Sequence, residues 1–149
     1  MFKMRIDSIY VKLIFMLFLG ICAVFDMRKK EIPLQLILMG VITSFGISIY
    51  QVYVKAISVI DAVYSLIPGL TFILISFATK EKVGYGDGLI LIVAGFVLGF
   101  YQCFFGLCIS LVCSSVFSLL LLVLHKADKD SGLAFVPFLT IGMGVSFIV

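Results

Sequence analysis

Six apolar stretches fill this chain almost end to end, each set off from the next by a short polar or turn-like break. Their approximate bounds are 9–25, 34–54, 57–78, 88–101, 104–124 and 133–149. A helix that crosses a bilayer needs about 20 consecutive apolar residues, so the fourth stretch is short unless it borrows from the turn that follows. The weakest boundary lies at residues 101 and 102, where the fourth and fifth stretches nearly fuse. Charged residues make up 13% of the chain and apolar residues 63%. A soluble domain carries about 25% and about 45–50%. Too little polar surface remains to coat a body in water, and the mean hydropathy of +1.29 agrees. The expected fold is an all-α, polytopic membrane protein of about six transmembrane helices. It forms a single domain over residues 1–149, with the lipid bilayer as its solvent.

Lysine and arginine positions predict the orientation. The first, third and fifth loops hold Arg28, Lys29, Lys30, Lys80, Lys82, Lys126 and Lys129, and the opposite side holds Lys3, Arg5, Lys12 and Lys55. An excess of basic residues in short loops marks the cytoplasmic side. Both termini then face outward. The net charge of +3 is spread over short loops and not gathered in a run, so nucleic acid is not an expected partner.

The four cysteines, Cys22, Cys103, Cys108 and Cys113, all fall in apolar stretches and form no C-x-x-C pair. They read as small packing residues, not as a zinc or disulfide framework. No metal and no organic cofactor are expected. The N-terminus, with a basic start, an apolar core and small residues near Cys22 and Ala23, has the outline of a signal peptide. Ile21 stands where a lipoprotein-type cleavage needs a small residue, and retention of the segment is the favoured reading.

Against this background two aspartates stand out. Asp26 closes the first stretch, in FDMRKKEIP, and Asp87 opens the fourth, in EKVGYGDGLI. A carboxylate at membrane depth costs roughly 2.5–3.5 kcal/mol on insertion scales and invites a functional reading. Taken singly, each also fits an ordinary boundary residue, and Asp87 fits a helix cap. Gly84, Gly86 and Gly88 crowd around Asp87, more glycine than a cap requires, and are read as a loop through which a substrate strand reaches the carboxyl. The charge bias puts both aspartates on one side of the membrane. Two carboxyls held together share a proton near neutrality. One then takes a proton from water while the other polarises a peptide carbonyl.

Asp26 followed by Ile32-Pro33, then Gly84-Tyr85-Gly86-Asp87 before an apolar helix, resembles the type IV prepilin peptidases, polytopic aspartic proteases of the Gly-x-Gly-Asp type. The likeness covers nearly the whole chain, and VPFL at 136–139 looks like the start of that family's final helices. The resemblance implies cleavage of a short basic leader from a prepilin-like protein at the cytoplasmic face of the cell membrane. Asp26 and Asp87 match the catalytic pair, with Gly84, Tyr85, Gly86 and Gly88 as the substrate-binding loop. Only eight residues precede the first stretch, so the likeness is to the short, peptidase-only form, and N-methyltransferase activity is not expected. Two departures bear on substrate choice: Leu34 stands where the family often has Asn, and Gly88-Leu89-Ile90 where it often has Val-Lys-Leu. The pilus, secretion or uptake system served and the oligomeric state are not legible.

The remaining polar residues have plainer readings. Asp61 is expected at an interface or helix start. Pro68 is expected to bend its helix, and Gly95 with Gly99 to form a packing face of the fourth helix. Glu31, Glu81, Asp128 and Asp130 read as solvated loop residues, and His125 as a helix-end residue. Two rival functions remain. A small transporter or channel would favour midplane acids and internal repeats, and neither is seen. A non-catalytic pilus or secretion assembly protein would be betrayed by loss of an aspartate, and both are present. A presenilin-like protease fits poorly, because Pro68-Gly69-Leu70 lies upstream of Asp87.

Overall fold

The computed structural model describes residues 2–29, 32–79, 84–124 and 134–148, with side chains from Ile9 onward. Lys30, Glu31, Lys80, Glu81, Lys82, His125, Lys126, Asp128, Lys129 and Asp130 lie outside the described residues, as do the side chains of Lys3 and Arg5. Among the described residues the chain forms helices and no strand: α1 (Phe2–Lys29), α2 (Leu34–Tyr53), α3 (Val59–Tyr64), α4 (Ile67–Ala78), α5 (Tyr85–Leu98), α6 (Phe100–Val123) and α7 (Val136–Ile148). Because α3 and α4 run on as one apolar stretch, Val59–Ala78, the chain has six apolar helical units. Four of these are long and apolar enough to cross a membrane, while α5 and α7 are shorter. The protein is an all-α, polytopic membrane protein.

Its surface is built for lipid. Leu17, Ile42, Leu74 and Val123 are each about two-thirds exposed, a cost in water that a bilayer removes. The buried core is correspondingly narrow and centres on α5, whose Ile90, Leu91, Val93 and Ala94 are sealed among Phe15, Leu19 and Cys22 of α1, Cys103 of α6, and Leu139 and Met143 of α7. α5 packs on α2 and α4, and α6 packs on α7. The first apolar stretch supplies Phe15, Leu19, Cys22 and Ala23 to the core.

Small residues set the closest crossings, as they do where lipid gives no hydrophobic drive between helices. Gly69 of α4 faces Gly88 of α5, where an added Cβ on Gly69 would stand 3.1 Å from the Gly88 carbonyl oxygen. Gly142 of α7 lies against Ser110 and the Gly106 carbonyl of α6. The first crossing fixes the height of the residue next to Gly88, which is Asp87.

The expectations about local geometry hold in part. The third stretch is interrupted at Ser65 and Leu66, just ahead of Pro68, as expected of that proline, which stands in the first turn of α4. There its missing N–H costs nothing, because first-turn N–H groups have no helical partner. Of the glycine pair, Gly95 packs against the Ser65 carbonyl at that break. Gly99 lies outside the helix, with φ of +80° at the joint between α5 and α6, a backbone region that favours glycine. This turn also ends α5 at Leu98, ahead of the expected boundary. Cys22 and Cys103 are buried as expected, whereas Cys108 is exposed on α6; all four thiols are free. Asp61 fulfils its helix-start reading, accepting the Ser58 N–H at 3.4 Å.

Replacing Gly142 by Ala is expected to lower stability by about 1–3 kcal/mol through overpacking at the α6–α7 crossing. Gly46→Ala, at a site with nothing within 4 Å, is expected to be neutral or to add up to about 1 kcal/mol through helix propensity. Thermal unfolding in detergent compares the two.

Candidate active site

Asp26 lies inside α1, one turn before its end, and not at a helix boundary. The helix continues through Met27, Arg28 and Lys29, whose two cations complement the partial negative charge of its C-terminus. Asp26 is only 8% exposed. Its carboxylate is satisfied from a distant part of the sequence, because Oδ2 accepts the backbone N–H of Val136 at 3.1 Å. Val136 is the first residue of α7, is fully buried, and is followed by Pro137. First-turn N–H groups of a helix have no internal partner and carry its partial positive charge. Asp26 therefore closes the N-terminus of α7. A second link ties the same two helices, since the Thr140 hydroxyl lies 3.5 Å from the Leu19 carbonyl. Phe135, just ahead of Val136, stacks on Phe72 of α4 with ring centroids 5.7 Å apart.

Asp87 is the third residue of α5 and half-buried. Gly84 is the N-cap, and the Asp87 N–H donates to its carbonyl at 3.1 Å. The Asp87 carboxylate folds back over Gly84 so closely that a Cβ there would stand 3.0 Å from Oδ2. A side chain there would press the carboxyl out of place by a few tenths of an ångström.

The two aspartates lie on helices that touch, although 61 positions separate them. Asp87 lies within electrostatic reach of the Asp26 charge. α1 and α5 are in contact, and α7 also packs on α1. Two carboxyls thus face the same end of the bundle, one of them held by a backbone N–H.

The expected loop at 84–88 is mostly helix. Only Gly84 precedes α5; Tyr85, Gly86 and Gly88 form its first turn. Tyr85 is exposed and meets Phe77 edge-on at 5.8 Å. A Cβ on Gly86 would stand 3.5 Å from Ile37 Cδ1 of α2. Gly88 is buried at the α4–α5 crossing, where an added Cβ would lie 2.6 Å from Ile73 Cγ1, so its small size serves packing. Among the described residues no three His, Cys, Asp or Glu side chains gather closely enough to hold a metal ion. The Val136 N–H is the site group that residue types do not reveal. The only signal was Pro137, which marks a helix start and hence a free N–H.

The sequence profile of the type IV leader peptidase family matches residues 13–122, a span that contains both aspartates and the whole of α2 to α5. The chain belongs to the type IV leader peptidase family. Comparisons with curated proteins and with solved structures give no match.

Asp26→Ala leaves the buried Val136 N–H without its acceptor and is expected to cost about 1–3 kcal/mol. Asp26→Asn keeps an oxygen there and is expected to cost less. Unfolding of the two variants in detergent checks the order.

Proposed function

We propose that this protein is an aspartic endopeptidase of the cytoplasmic membrane that removes the basic leader of prepilin-like proteins at the cytoplasmic face. It would act as one membrane-embedded domain. The observation that carries the reading is that Asp87 lies within electrostatic reach of Asp26, which α7 holds by the Val136 N–H. Family membership supports a peptidase acting on a protein substrate.

In this reading Asp26, whose oxygen already accepts an N–H, is the carboxylate that takes a proton from water. Asp87 carries the shared proton and donates it to the peptide carbonyl oxygen as water adds to the carbon. A tetrahedral diol results, and its collapse breaks the C–N bond as the amine takes a proton from the dyad. Gly84, Tyr85 and Gly86, beside the Asp87 carboxyl, are the proposed contacts for the extended substrate. Gly88 supports them from within the α4–α5 crossing. The basic residues of the first, third and fifth loops support the cytoplasmic placement.

Cleavage of a candidate prepilin in membranes, read as a mass shift of the product, tests the proposal. Asp26→Asn and Asp87→Asn are each expected to slow cleavage by at least about 100-fold while the protein still inserts and accumulates. Near-native cutting by either variant would remove that aspartate from the reaction.

A further inference from the structure

The end of the bundle away from the two carboxyls holds a cleft of about 860 Å³. Besides the hydroxyls of Tyr64, Ser65 and Tyr101, four polar side chains line it, Lys12 of α1, Gln51 of α2, Asp61 of α3 and Gln102 of α6. Each stands within four residues of an end of its apolar stretch, in Ile9–Lys29, Leu34–Tyr53, Val59–Ala78 and Phe100–Val123 respectively. All four therefore sit at the depth where hydrocarbon gives way to headgroups. A second, apolar cleft of about 140 Å³ lies between α1 and α2, lined by Ile14, Phe18 and Ile47 among others. Val97 of α5 lines both clefts, so they adjoin. The apolar one runs inward beside α1 from Val11 to Phe18, about 10 Å of helix.

Polar groups that converge on a cleft recognise a ligand by charge and hydrogen bonding, while apolar walls supply contact area. Lys12 offers three N–H donors on a half-buried stem, its Nζ 5.4 Å from the Phe147 ring centroid. Asp61 accepts one backbone N–H and has lone pairs to spare. One cation and one carboxylate on the same wall match a headgroup that carries a phosphate and an ammonium. The adjoining apolar cleft matches an acyl chain. We infer that this end of the protein is a binding site for one amine-bearing phospholipid, its phosphate on Lys12, its ammonium on Asp61 and one chain between α1 and α2.

Native mass spectrometry of the purified chain in detergent tests the site, with phosphatidylethanolamine, phosphatidylcholine and phosphatidylglycerol added in turn. The expected result is one retained phosphatidylethanolamine per chain, at least about tenfold favoured over the other two, since each lacks the ammonium N–H donors. Lys12→Gln is expected to weaken retention about tenfold, and Asp61→Asn to erase the preference while keeping an acceptor for Ser58. Ile14→Trp, at an exposed position filling the apolar cleft, is expected to weaken all three lipids. Equal retention of the three by the native chain overturns the inference, as does unchanged retention in Lys12→Gln or an unchanged preference in Asp61→Asn. Competition by soluble glycerophosphoethanolamine at equal concentration would also overturn it, because the ligand would then be a headgroup in solution and not a lipid. Asp26→Asn and Asp87→Asn are expected to retain the lipid, so this result stands apart from the peptidase reading.

Discussion

A buried carboxylate closing a helix from another part of the chain is the interaction on which the candidate site depends. Asp26 near the end of α1 accepts the first N–H of α7, 110 positions away in sequence. Burying that carboxylate without a donor would be costly, and burying the N–H without an acceptor would also be costly. Each satisfies the other. The bond joins the first apolar helix to the last, and α5 is enclosed in the core between them. Asp87 is carried at the start of this enclosed helix.

Glycine contacts do the rest of the positioning. The Gly69–Gly88 approach brings α4 onto α5 one residue from Asp87, and Gly84 leaves room for the carboxyl to turn back over the helix start. A side chain at either place would move the acid relative to Asp26. Glycine enrichment around Asp87 thus has at least two causes, close helix crossing at Gly88 and carboxyl clearance at Gly84. Only Gly84 lies outside the helix, so substrate access from a flexible loop is not the common reason.

Much of this was legible because lipid imposes hard rules. Apolar length predicts spans to within a few residues, and 34–54 against Leu34–Tyr53 is a close case. Charged residues are rare enough that Asp26 and Asp87 stand out by contrast. Local geometry was legible in part. Pro68 did mark a break, which falls at Ser65 and Leu66 just ahead of it, where its ring and missing N–H cannot continue the preceding turn. Gly99 looked like half of a packing pair and is instead a positive-φ joint. The Val136 N–H was invisible because every residue but proline carries one, and only tertiary structure selects which N–H is used. The clefts beside α2 were equally hidden, because α1 and α2 are neighbours in sequence yet pack mainly on α7 and on α5 respectively.

The most direct measurement is a double-mutant cycle on cleavage rate, with Asp26→Asn, Asp87→Asn and the two combined. Groups that act as one unit are strongly non-additive, so removing the second after the first costs little more. The account predicts that the double variant cleaves no more slowly than the weaker single variant. Losses that multiply would mean that the two carboxyls act separately and would contradict a shared-proton pair.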